Sequence, residues 1–149
     1  MESNRPVQLV SATEEDAISR NMVVLVNRYP DIPVSIVNYE QLMADSESMA
    51  LSTIQGSYIT RRFIYGGHEG EYQFKIVYRI IPGTSNDRRL KADELLNSVG
   101  DWLSEQRPNF GNSLRAIKIE PTTRSSLFAA YEDGTEDHQI LMRLKYEVN

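Results

Sequence analysis

Five large side chains, Tyr72, Phe74, Ile76, Tyr78 and Ile80, alternate with Glu71, Gln73, Lys75, Val77 and Arg79. A two-residue period puts each set on its own face of an extended chain, so this run predicts a strand buried along its aromatic and branched side. A second extended run, Ala50 to Tyr65, precedes it and reads as one or two strands. Between them stands GGHEG, a five-residue glycine-rich connection. The stretch from Ile59 to Ile81 is therefore expected to be a β-hairpin with a well-specified core face. A half-buried hairpin needs other elements to cover that face.

Two amphipathic helices are available to do so. Thr13 is the expected N-cap of the first, with Glu14, Glu15 and Asp16 suiting the positive end of the helix dipole. Ile18, Met22, Leu25, Val26 and Tyr29 form its apolar stripe, and Pro30 and Pro33 stop it. The second, capped by Ser85, Asn86 or Asp87, carries Ala92, Leu95, Leu96, Val99, Trp102 and Leu103, and Pro108 closes it. VSIVNY, Val34 to Tyr39, reads as a short strand, at an edge or a strand start because of Pro33. The last third reads as three strands, RAIKIE, LFAAYE and QILMRLKYEV, the last two joined by the turn EDGTEDH. The expected architecture is one α+β domain over 1–149, with an irregular arm at 1–12. Its sheet is largely antiparallel or mixed and is flanked by two main helices.

Composition narrows the function classes. The chain has 149 residues and no cysteine, which excludes disulfides, thiolate nucleophiles and cysteine-bearing zinc sites. Met22 to Val26, the longest apolar run, is far short of a bilayer span, and MESNRPVQLV has no basic-then-apolar leader pattern. A soluble, untargeted chain with no membrane partner is expected. A net charge of −5 argues against a surface devoted to gripping nucleic acid.

No catalytic motif stands out. The two histidines, His68 and His138, lack paired spacing and any identifiable orienting partner, and neither GxSxG nor a phosphate-binding glycine loop occurs. Glu132, Asp133, Glu136 and Asp137 could supply oxygens to a hard cation, with His138 beside them, but the group reads more simply as a solvated turn. No cofactor or metal is expected. Arg61 and Arg62 fall in a strand and so point to opposite faces. Arg88 and Arg89 oppose the dipole of the second helix, at a cost of ~0.3–1 kcal/mol if exposed. Either Asp87, Asp93 and Glu94 offset this charge on a solvated face, or the arginines serve an assembly contact or a DNA-facing lumen.

The order of these pieces resembles the tail terminator proteins of long non-contractile-tailed bacteriophages, also catalogued as phage minor capsid proteins. FIYGGHEGEYQFKIVYRI is similar to the family's glycine-turn hairpin, and DRRLKADELLNSVGDWLSEQRP to its arginine-led helix ending in a tryptophan-leucine pair. AAYEDGTEDHQILMRLKYEV is similar to its acidic turn and closing strand, and with NRYPDIPVSI the likeness runs from about Glu14 to Glu147. The resemblance implies a homohexameric ring, in the virion neck, that caps the tail tube protein and meets the head–tail connector or stopper. DNA would cross such a ring without sequence-specific binding. Arg61, Arg62, Arg88 and Arg89 are then candidate channel or assembly contacts. Gln41, Asp45, Glu47, Tyr65, His68 and Glu69 are candidate contacts between subunits or to the tube, with Gln41 to Ser48 expected to order only on assembly. Alternatives are a head-completion or stopper ring of the same neck and, more remotely, a small metal-dependent hydrolase using Asp133 and His138. A monomeric binding module is a third.

Overall fold

The computed structural model describes residues 8–44, 46–111 and 113–149. Helix α1 (Ala12–Val26) and helix α2 (Asn86–Ser104) lie against a seven-stranded sheet made of β1 (Val37–Tyr39), β2 (Ser48–Arg62), β3 (His68–Ile80), β4 (Asn109–Gly111), β5 (Leu114–Pro121), β6 (Ser126–Ala130) and β7 (Glu136–Val148). The strand order is β1-β2-β3-β7-β5-β4, and β6 continues along the β5 side of β7. The β1–β2 pair is parallel, and every other pairing among the described residues is antiparallel. The fold is the expected α+β class with a mixed sheet.

One face of the sheet carries the core. Tyr72, Phe74, Ile76, Tyr78 and Ile80 of β3 and Ile140, Met142, Leu144 and Tyr146 of β7 are buried against Ile18, Met22, Leu25 and Val26 of α1 and Ala92, Leu96, Val99 and Leu103 of α2. Both predicted stripes thus bury on the same side of the sheet, leaving the opposite side without a helix among the described residues. Asn27, just past α1, fixes the first helix to the sheet edge. Its Oδ1 accepts the Val37 N–H at 2.7 Å and its Nδ2 donates to the Val37 carbonyl at 3.0 Å. That clamp leaves only Val37–Tyr39 of VSIVNY in the ladder.

Several boundaries differ from the sequence expectation for identifiable reasons. The N-cap of α1 is Ser11, whose Oγ accepts the Glu14 N–H at 3.2 Å, while Thr13 lies inside the helix. Serine three residues before glutamate is the stronger capping arrangement. The hairpin turn is Phe63–Gly67, because Arg62 pairs with His68 and so draws His68, Glu69 and Gly70 into β3. Gly66 and Gly67 hold φ of 96° and 83°, the left-handed region that glycine enters without a Cβ penalty. The β7 strand begins three residues early, at Glu136, and the short β4 was not foreseen.

Gly70 sits directly across the ladder from Tyr146. A Cβ at Gly70 would lie 2.4 Å from the Tyr146 ring. Gly70→Ala is therefore expected to lower stability by about 1–3 kcal/mol through overpacking, read as a fall in the urea midpoint. An unchanged midpoint would contradict this packing.

Candidate interaction surfaces

The uncovered face of the sheet is a lattice of charge. Register places Arg61 of β2, Glu69, Glu71, Lys75 and Arg79 of β3, and Asp137, Arg143, Lys145 and Glu147 of β7 on this side. Arg115, Lys118 and Glu120 of β5 join them through their pairing with β7. The arginine and lysine side chains are largely answered by neighbours. Arg143 donates to Glu120 at 3.0 Å and reaches Glu71 at 3.9 Å, while Lys118 pairs with Glu120 at 2.9 Å. Arg115 pairs with Glu147, Arg61 lies 4.0 Å from Glu69, and Lys75 stands over the Phe128 ring at 4.6 Å. The Lys118 ammonium and the Arg143 guanidinium together hold the Glu120 carboxyl at about 2, well below its usual range. Glu71 is buried, accepting from Tyr58 Oη and from Gln73 Nε2. Burial and the adjacent Glu71 carboxylate push the Tyr58 phenol up.

At the far end of β3 and β7 the same face closes around Arg79. Its Nε and Nη2 make a two-pronged contact with Asp137, at 2.7 and 2.8 Å, and Tyr131 Oη donates to the same carboxylate at 2.8 Å. The remaining prong, Nη1, donates to the Met43 carbonyl at 2.9 Å. Met43 N–H in turn donates to Ser48 Oγ, and Tyr78 Oη donates to Glu47. Of the Gln41 to Ser48 segment, Met43 and Glu47 are thus tethered to the sheet within the single subunit. Gln41 is exposed, and Asp45 lies outside the described residues.

Under the helices a second charge cluster joins α2 to the start of β7. His138 is buried, with Nδ1 at 2.9 Å from Asp93 Oδ1 and Nε2 at 3.3 Å from Glu136 Oε1. Ser125 Oγ donates to the same Asp93 oxygen at 2.8 Å. Arg89 donates to Glu136 at 2.9 Å and also to the Gly83 carbonyl and Asn86. The reading of Glu136, Asp137 and His138 as a solvated turn is therefore corrected. Alternation along β7 turns Asp137 toward Arg79, and Glu136 and His138 toward α2. Glu132 and Asp133 alone remain in the exposed turn, where Asp133 accepts from Thr135. The charge of Arg89 at the N-terminus of α2 is answered by Glu136 of β7, whereas Asp87 pairs with Lys91. Arg88 stays exposed and donates to the Ile81 carbonyl at 3.1 Å.

The other histidine also has a partner. His68 Nε2 lies 2.9 Å from Glu14 Oε2, which accepts from Tyr146 Oη at 2.6 Å. The group fastens the first turn of α1 over the turn end of the hairpin. Neither partnership was legible in sequence, because Glu14 is 54 residues from His68 and Asp93 is 45 from His138. Of the six expected contact residues, Glu47, His68 and Glu69 are engaged within the subunit, and Tyr65 is exposed at the turn.

That turn is a preformed knob. The rings of Phe63 and Tyr65 stack at 5.2 Å with a 10° tilt, and the Arg61 guanidinium lies 5.3 Å from the Phe63 centroid. Ile64 is fully exposed and Tyr65 is 81% exposed. At the β1 flank, α1 and Tyr39 enclose a recess of about 340 Å³ lined by Asp16, Ser19, Arg20, Val23 and Val24. Behind Tyr39, its hydroxyl and those of Thr53, Tyr72 and Ser19 bond to one another at 2.8–3.4 Å.

No protein-family model matches this chain, and a search of curated proteins found no match.

Proposed function

We propose that this chain is a structural protein of a phage virion that forms a ring at the head–tail junction, closing the tail tube and joining it to the connector. The sequence resemblance supplies the family, and the uncovered sheet face is the observation that carries the role. Duplex DNA is gripped when Lys and Arg side chains displace condensed counterions from its phosphates. On this face most cations already lie beside a carboxylate on the same or a neighbouring strand. A phosphate that approached would have to compete with them. Such a surface is polar and wettable, and it releases a polyanion readily, which suits a conduit. Self-association into a homohexamer supplies the ring, the tail tube protein and the connector or stopper are its neighbours, and no chemistry is required of it.

The role is tested by mixing the purified chain with tail tubes that lack a terminator and, separately, with DNA-filled heads. Copurification with the tubes and an arrest of their growth is the expected result. Binding to filled heads alone would make the chain a head-completion or stopper ring instead, and binding to neither would overturn the virion reading.

A further inference from the structure

A closed ring of identical subunits needs two different, mutually complementary patches on each copy. The molecule carries one projecting apolar knob and a recess that does not overlap it. We propose, resting on the ring reading above, that the Phe63–Gly67 turn of one copy docks into the α1–β1 recess of the next. The occupant of the recess is thus a second copy of this chain.

Three observations support this pairing. First, the knob lies beyond the last paired rung, Arg62 with His68, at the end of the sheet. The recess lies beside edge strand β1, so a single subunit presents both at once. Second, the charges are complementary. The knob is flanked by Arg61 and Arg62, and the recess offers Asp16, with the exposed Glu40 beside Tyr39 at the β1 end. Glu40 uses Oε1 to accept the Thr53 N–H. Arg20, the one cation among the described residues that line the recess, would meet the stacked Phe63–Tyr65 pair, whose ring faces attract a guanidinium. Third, apolar surface is exposed on both sides: Ile64 and Tyr65 on the knob, and Val24 and Tyr39, each about half exposed, at the recess. Clustered exposed apolar groups rimmed by charge mark association surfaces. The aromatic stack holds the turn in shape before contact, which reduces the entropy lost on docking.

The test uses two full-length variants. Ile64→Asp with Tyr65→Ser disables the knob, and Val24→Arg disables the recess; all three positions are exposed, and circular dichroism checks that each variant folds. Each variant alone is expected to lose the higher-order species that the unaltered chain forms, as read by light scattering or mass photometry. Mixed together they retain one good interface, the knob of the Val24→Arg chain in the recess of the other. The mixture is therefore expected to form 1:1 dimers and nothing larger. Rings formed normally by either variant would overturn the interface while leaving the ring reading intact, and so would a mixture that stays monomeric while the unaltered chain forms rings. An unaltered chain that never associates, alone or on tail tubes, would overturn both.

Discussion

Arg79→Ala is expected to destabilise the fold by about 3–5 kcal/mol, the range for removing one partner of a buried ion pair. The Asp137 side chain is only 4% exposed and that of Arg79 is 15% exposed. Truncation would leave the buried carboxylate with, among the described residues, only the Tyr131 hydroxyl to answer it. It would also release the Met43 carbonyl, removing one of the tethers that hold Met43 and Glu47 to the sheet. Arg79→Lys keeps the charge but cannot make the two-pronged contact, so an intermediate loss is expected. Arg79→Met combined with Asp137→Leu should cost much less than Arg79→Ala, because no orphaned charge remains. Urea unfolding of the four proteins reads these differences directly. A loss below about 1 kcal/mol for Arg79→Ala would class the pair with ordinary surface salt bridges and contradict its burial.

Alkaline unfolding is the second large expected effect. Of the eight tyrosines, Tyr72 and Tyr78 have phenols pushed up to about 12, in both cases chiefly by burial. Tyr146 is raised further still, by burial and by the Glu14 carboxylate that its hydroxyl meets. In the unfolded chain each phenol ionises near its ordinary value of about 10. A raised folded value means that the unfolded state loses protons first. The stability these three groups contribute is complete below about pH 10 and falls away as the pH climbs toward 12 and beyond. Absorbance at about 295 nm should therefore rise in two steps. The first is a gradual one near pH 10, the ordinary range of a phenol in water. The second is a cooperative step at higher pH that coincides with loss of the circular dichroism signal. A single gradual step that ionises every tyrosine while the dichroism stays native would contradict the buried tyrosine face.

The parts of the fold that were legible in sequence are those governed by short periods. The alternation from Glu71 to Ile80 and the stripes of α1 and α2 depend on spacings of two to four residues, and each buries the face it predicts. The turn was placed wrongly because FIYGG and GGHEG are both plausible connections. Only the pairing of Arg62 with His68 decides between them, and the length of β7 sets that pairing on its other side, where His68 meets Val148. The charge lattice was less legible still. Arg79 meets Asp137 across 58 residues and Arg89 meets Glu136 across 47, distances at which composition shows charges but not partners. Glu136, Asp137 and His138 were misplaced for a related reason. A run of polar residues after Gly134 reads locally as turn, and only their tertiary partners in β3 and α2 make burial favourable.

The proposed closure of this subunit into a ring is tested most directly by the solution mass of the purified chain. Light scattering across a range of concentrations, with negative-stain imaging of the same sample, is predicted to show a hexamer and annular particles. A persistent monomer at every concentration that also fails to cap tail tubes would contradict the account.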